Sequence, residues 1–273
     1  MSGHRILLFD SGMGGLTVAR AVARQMPDAH LVYAADNAAF PYGAWDERDL
    51  MNRINTVIRT LINRAKPDIV VIACNTASTI ALVDLRRDFG TPFVGTVPAI
   101  KPAAAQTKSG IIGVLATPGT AKREYTQALI HTYAMHRHVI LYGAPRLAEL
   151  AECKLRGQAI DMQVLKHEIA PVFRIIDGQK TDVVVLGCTH YPLIAEEIAS
   201  VAPWPVAYID PSAAIARRVG DVADETKRFE GPVDGLPGHG TVFLSSGKGA
   251  DRDTQVAYAW MGFPHLQVVE LPV

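Results

Sequence analysis

No apolar run in the 273-residue chain approaches the roughly 18 residues that would suggest a membrane span. No block of Lys and Arg occurs either, and the 27 basic residues cancel the 27 acidic ones. A neutral chain without such a block has no electrostatic footprint for nucleic acid or for a membrane surface. The opening MSGHRILLFDSG has neither a long apolar stretch nor a small-residue cleavage site, which argues against a signal peptide. Cysteines are few: three, an odd number without the spacing of a disulfide framework. These absences point to a soluble protein of the reducing cytoplasm with free thiols. What the chain does have is apolar mass. At 49% hydrophobic residues a sizeable core is available, and the length is comfortable for two domains at about 150 residues each.

The apolar residues fall in short runs: RILLF (5–9), HLVYAA (30–35), DIVVIA (68–73), GIIGVLA (110–116), VILYGA (139–144), DVVVLG (182–187), VAYID (206–210) and TVFLSS (241–246). They are uniformly apolar rather than alternating, as expected of strands covered on both faces. Between them helical periodicity appears over 16–25, 50–65, 80–89 and 165–176. Strand and helix alternate, so the predicted fold is α/β with mainly parallel sheets. In such sheets ligands bind at the carboxyl ends of the strands, and the reactive residues of this chain do follow its apolar runs.

The chain also resembles itself. DIVVIACNTAS (68–78) aligns with DVVVLGCTHYP (182–192), matching Asp68 to Asp182 and Cys74 to Cys188. LLFDSGMG (7–14) aligns with GVLATPGT (113–120), matching Ser11 to Thr117 and Gly14 to Thr120. Two units in the same order predict two related Rossmann-like lobes, pseudo-symmetric, with the active site in the cleft between them. The Pro-containing segment GTVPAIKPAAAQTKSG (95–110) marks a crossing. The expected first lobe is 1–97 with 209–273 and carries Cys74; the second is 98–208 and carries Cys188.

One thiol on each side of a cleft suits inversion of a carbon centre, with a thiolate removing a proton from one face and a thiol delivering one to the other. A free thiol is only about a few per cent thiolate at neutral pH, so each needs help from a helix N-terminus or an acid–base partner. Asp10 is the candidate beside Cys74, or else a cap for the helix after GMGGLT; His190 is the candidate beside Cys188, or else a structural histidine. The turns SGMGGLT, NTAST, PGT and THY supply N–H groups and hydroxyls for carboxylates. DSGMGG fits neither the dinucleotide fingerprint nor a P-loop. A zinc site on Cys74, Cys188 and His190 lacks the usual ligand spacing. No lysine stands at these strand ends for a pyridoxal Schiff base, and Cys153, in the helical context AELAECKLRG, reads as structural.

FDSGMGGLTV, ADNAAFPYG, ACNTAS and GCTHYPL together resemble the glutamate racemases of the aspartate/glutamate racemase superfamily, over about residues 5–217 with a weaker match at FLSSG. The resemblance implies a cofactor-independent, metal-free isomerase that interconverts L- and D-glutamate, supplies D-glutamate for peptidoglycan and so supports cell-wall biogenesis and cell shape. It implies Cys74 and Cys188 as the acid/base pair, Cys188 taking the proton from L-glutamate and Cys74 from D-glutamate. It assigns Asp10, Ser11, Tyr42, Gly43, Asn75, Thr76, Thr189 and His190 to substrate, matches Thr117 and Thr120 to a threonine pair, and matches Glu152 to an acid that assists the second thiol with His190. Where Cys-Pro often precedes that acid, this chain has Ala144-Pro145. ELAECKLRG resembles a branch whose members can depend on a UDP-muramoyl-alanine activator. The oligomeric state, a homodimer included, is left open. The competing readings are an aspartate racemase, which typically has Glu where His190 stands; an arylmalonate-type decarboxylase, which keeps one cysteine; and a two-lobed amino-acid-binding protein, which has no chemistry.

Overall fold

In the computed structural model, which describes residues 3–231, 235–248 and 250–269, each apolar run named above forms a β-strand. The first part of the chain runs β1 (Arg5–Asp10), α1 (Leu16–Gln25), β2 (His30–Ala35), α2 (Glu47–Ala65), β3 (Ile69–Ile72), α3 (Asn75–Asp88) and β4 (Phe93–Gly95). There follow α4 (Ile100–Gln106), β5 (Ile111–Ala116), α5 (Pro118–Ala121), α6 (Glu124–Ala134), β6 (His138–Gly143), α7 (Leu147–Leu155) and α8 (Met162–Ile169). Then come β7 (Ile175–Ile176), β8 (Gln179–Lys180), β9 (Val183–Gly187), α9 (Ala195–Val201) and β10 (Ala207–Ile209). The last elements are α10 (Ser212–Glu225), β11 (Thr241–Leu244), α11 (Arg252–Trp260) and β12 (His265–Val268).

The chain divides into two units, residues 1–96 with 212–273 and residues 97–211. The first holds a six-stranded sheet in the order β12-β11-β2-β1-β3-β4, parallel throughout. The second holds a four-stranded parallel sheet, β10-β9-β5-β6. Parallel neighbours need crossovers, and the helices supply them. The central strands β1, β2, β3, β5 and β9 are buried at every residue. The edge strands β6, β10 and β12 are only partly covered, so cover on both faces holds for the sheet centres alone.

The internal repeat is written into the sheet registers. Order β2-β1-β3-β4 in one unit corresponds to β6-β5-β9-β10 in the other. Leu7 pairs with Val70 in the first sheet and Gly113 with Val184 in the second, the same partners that the two sequence alignments match. The matched aspartates play matched parts. Asp68 accepts the Arg5 and Phe229 backbone N–H groups, while Asp182 accepts those of Lys108 and Ser109 and the Thr107 hydroxyl. Each carboxylate thereby ties the start of its strand to the entry of the neighbouring one.

Helix boundaries depart from the periodicity for local reasons. α2 starts at Glu47, ahead of the predicted 50, because the Asp46 side chain caps the Arg48 and Asp49 N–H groups. It buries one face, Leu50, Ile54, Val57, Ile58, Leu61 and Ala65, at roughly 1.5–3 kcal/mol per large side chain removed from water. α3 starts at Asn75 rather than 80, because its first turn buries polar and small residues, Asn75, Thr76, Ala77 and Ser78, that carry no apolar period. The helix expected over 165–176 is a correction: α8 ends at Ile169, Pro171 lies in a 3-10 turn, and Ile175–Ile176 pair with Gln179–Lys180 in a hairpin. Proline supplies no N–H to continue a helix, and Asp177-Gly178, both at positive φ (50° and 78°), make the two-residue turn that a tight hairpin favours.

Candidate active site

In the first unit β1 delivers Asp10 and Ser11 to the carboxyl end of the sheet, next to the end of β3. The Asp10 Oδ1 accepts the Ser11 hydroxyl at 3.1 Å and the Gly12 N–H at 3.2 Å. α1 has Gly15 as its N-cap, a residue with no side chain to bond the first turn, and Asp10 secures the turn that leads into it through the Ser11 hydroxyl and the Gly12 N–H. Gly15 must be glycine for this packing: a Cβ there would stand 2.8 Å from Asp10 Oδ2 and 2.8 Å from the Tyr33 hydroxyl. Cys74 follows β3 as the N-cap residue of α3, a helix of 14 residues. The helix N-terminus carries partial positive charge that favours a thiolate. The buried Cys74 Sγ donates to Ser11 Oγ across 3.9 Å, giving a chain from thiol through hydroxyl to the Asp10 carboxylate.

Asn75 is 1% exposed, and neither its carboxamide oxygen nor its nitrogen has a hydrogen-bond partner within the protein. Leaving such atoms unsatisfied costs about 1–3 kcal/mol, which a polar ligand would recover. Thr76 is buried beside it. Tyr42 and Gly43 lie in a 3-10 turn, Tyr42–Ala44, after the cis Phe40–Pro41 bond. The Tyr42 hydroxyl donates to Asp36 Oδ2 at 2.6 Å. Burial first, then the negative charges of Asp36 and Cys74, hold the phenol well above its ordinary pKa, so it stays neutral.

The second unit arranges its own set at the end of β9. His190 Nδ1 lies 3.8 Å from Cys188 Sγ, and His190 Nε2 lies 3.1 Å from Glu152 Oε1. Arg156 donates to the other oxygen of Glu152 at 2.7 Å. An ion-paired Glu152 is an acceptor, so Nε2 carries the imidazole proton and Nδ1 turns a lone pair to the thiol. Cys188, His190 and Glu152 are all buried, which strengthens each of these interactions. Thr117, the N-cap of α5, accepts the Thr120 N–H at 3.2 Å and bonds the Thr120 hydroxyl at 3.0 Å. The pair follows β5, whose last residue Ala116 neighbours Gly187, just before Cys188 and Thr189. The Tyr191 hydroxyl donates to the Ala116 carbonyl at 3.0 Å. Burial, then the charges of Cys188, Glu168 and Tyr142, keep that phenol neutral as well.

The structure thus gathers Asp10, Ser11, Tyr42, Gly43, Cys74, Asn75 and Thr76 in one unit, and Thr117, Thr120, Glu152, Cys188, Thr189 and His190 in the other. The two thiols are served differently. Cys74 has the start of a long helix; Cys188 precedes only a short 3-10 turn, Tyr191–Ile194, and has an imidazole. Cys153 lies on α7 next to Glu152, half-buried. Asp36, Arg53 and Arg156 went unremarked in the sequence. Only Arg156 left a local signal, four residues after Glu152 on one helix face.

The family model for Asp/Glu/Hydantoin racemase matches residues 16–219. A glutamate racemase of Brucella anthropi is 55% identical over 214 residues, which is 78% of this chain and 77% of that protein. One of Mesorhizobium japonicum is 47% identical over 264 residues, 96% of this chain and 98% of that one. Among solved structures, Escherichia coli glutamate racemase in complex with L-glutamate and the activator UDP-MurNAc-Ala is similar with a TM-score of 0.90 at 37% identity, covering 99% of this chain and 100% of that one.

Proposed function

Because the chain belongs to the Asp/Glu/Hydantoin racemase family, an isomerase family acting on amino acids, we propose that it interconverts L- and D-glutamate by proton transfer at two cysteines. The observation that carries this reading is the pair Cys74 and Cys188. They stand at matched positions of two sheets with matched registers, both buried, each beside its own polar partner. One thiolate removes the Cα proton, the opposite thiol gives its proton to the other face of the carbanion, and the roles exchange for the other enantiomer. With Cys188 as base on L-glutamate, His190 takes the thiol proton and Glu152 holds the resulting imidazolium. The unspent carboxamide of Asn75, with Ser11, Thr76 and Thr189, suits the substrate's carboxylates and ammonium, and such preorganised donors also stabilise the carbanion's charge.

Polarimetry with purified protein tests the substrate. L-Glutamate is expected to lose optical rotation far faster than L-aspartate, since both carboxylates must be held at a fixed spacing; equal or faster turnover of aspartate overturns the assignment. The same assay across pH gives the second expectation. The rate rises as one thiol ionises and falls as the opposite thiol loses the proton it must deliver, a bell whose limbs belong to the coupled site rather than to one residue. A flat profile across the thiol range removes thiol catalysis.

D-Glutamate made in the cytoplasm would feed peptidoglycan synthesis. The Escherichia coli relative was solved with UDP-MurNAc-Ala as activator, and with ELAECKLRG in this chain that supports the same control here. An activator must bind an active conformation more tightly than an inactive one. Turnover is expected to rise on adding UDP-MurNAc-Ala; full activity without it, unchanged by its addition, rules the control out.

A further inference from the structure

The segment between β2 and α2 carries Tyr42 and Gly43, and a buried ion pair that the proposed reaction does not use fastens it. Asp36 is fully buried. Arg53, from α2, donates Nε to Asp36 Oδ2 and a terminal nitrogen to Oδ1, both at 2.7 Å, in the two-pronged fit of guanidinium to carboxylate. The Arg53 guanidinium also lies over the Trp45 ring, 5.7 Å from its centre, and the Trp45 indole donates to the Ala39 carbonyl at 2.8 Å. The Asp36 N–H donates to the Asp10 carbonyl at 2.9 Å, tying the same residue to the end of β1. Tyr42 packs in one buried cluster with Cys74.

A phenol has one proton, and here it goes to Asp36. Toward Cys74, whose thiol here donates to Ser11 Oγ, the oxygen can therefore only accept, from a substrate ammonium or from the thiol once it turns away from Ser11. We propose that Asp36 and Arg53 are a positioning pair that fixes the Tyr42 hydroxyl as an acceptor beside Cys74, so that proton transfer at the Cys74 face, and not at the Cys188 face, depends on them. The inference rests on the two-cysteine reading above. Arg53 spends both prongs on orienting the carboxylate; without that hold Oδ2 can turn away from the Tyr42 hydroxyl, and the phenol O–H is then free to rotate toward Cys74. The acceptor would become a donor. The charge on Asp36 in turn supports the guanidinium, whose pKa is raised, first by its hydrogen bond to Asp36 and against the effect of burial.

Rates alone cannot read out one face. The equilibrium constant of racemisation is unity, so kcat/KM must fall equally for both enantiomers whichever step is slowed. Isotope effects separate the faces. The test compares α-protonated with α-deuterated L- and D-glutamate on wild type, Tyr42→Phe and Arg53→Lys, with thermal melts of each. Tyr42→Phe is expected to lose about tenfold or more in kcat/KM, the worth of one hydrogen bond to a charged group. Its isotope effect should grow with deuterated D-glutamate, where Cys74 is the base, and shrink with deuterated L-glutamate. Arg53→Lys keeps the charge but loses the fork, and should shift both effects in the same sense by less. Lower kcat/KM with both isotope effects unchanged, or changed equally, overturns the inference and leaves a merely structural brace, whatever the melts show. Racemisation by a Cys74→Ala enzyme is a different failure: it removes the two-cysteine reading itself.

Discussion

Replacing Cys188 or Cys74 by alanine is expected to abolish racemisation, lowering kcat by at least the roughly 10²–10⁴-fold that a positioned acid–base group supplies. Inversion uses one group on each face, so either loss stops the whole reaction. Cys153→Ala should leave activity largely intact, because that thiol sits on α7 and is assigned no part in the chemistry. Serine replacements separate the roles, since a hydroxyl still gives a proton but is a far poorer base than a thiolate. The informative substrate is a glutamate analogue that expels a leaving group once deprotonated, because elimination then needs only the first proton transfer. Cys188→Ser should fail on the L form and keep reaction on the D form; Cys74→Ser should do the reverse. Loss of both enantiomers in both variants would refute the assignment of faces. Robust racemisation by Cys188→Ala would refute thiol catalysis altogether.

The parallel α/β architecture was legible because parallel strands at a sheet centre are buried on both faces. Their sequences are therefore unbroken apolar runs such as IVVI and VVVLG. The strands left unread are the ones that lack this cause: β4 is three residues long, β12 is an edge whose residues are mostly exposed, and β7 and β8 are the two-residue arms of a hairpin. The start of α3 was illegible for a functional reason. Asn75 to Ser78 are buried in its first turn although three of the four are polar, which a periodicity argument reads as a turn. The turn carrying Tyr42 has no period at all, and only the resemblance pointed to it. Its brace is less visible still: Asp36 and Arg53 lie 17 residues apart, and nothing in a linear pattern joins the end of a strand to one face of a later helix. By contrast the matched cysteines were readable from the chain's likeness to itself, and the two sheet registers now give that likeness a physical basis.

Glu152→Gln is expected to lower kcat by about a hundredfold, toward the low end of what a general base assembly contributes. The amide keeps the volume and can still accept the His190 Nε2–H, so the ring's direction survives; what is lost is the negative charge that makes Nδ1 basic. A less basic imidazole takes the Cys188 proton less readily, so the rising limb of the pH profile for L-glutamate should move to higher pH. The isotope effect should grow with α-deuterated L-glutamate and shrink with the D form, the opposite sense to that expected of Tyr42→Phe. Stability should change little. The partner left without its carboxylate, Arg156, has a side chain 32% exposed and can be hydrated, unlike a fully buried charge. His190→Ala removes the relay itself and should cost more, with the same isotopic signature. If Glu152→Gln slowed both faces alike, or left the rising limb in place, His190 and Glu152 would be packing around Cys188 and the thiol would have to find its base elsewhere.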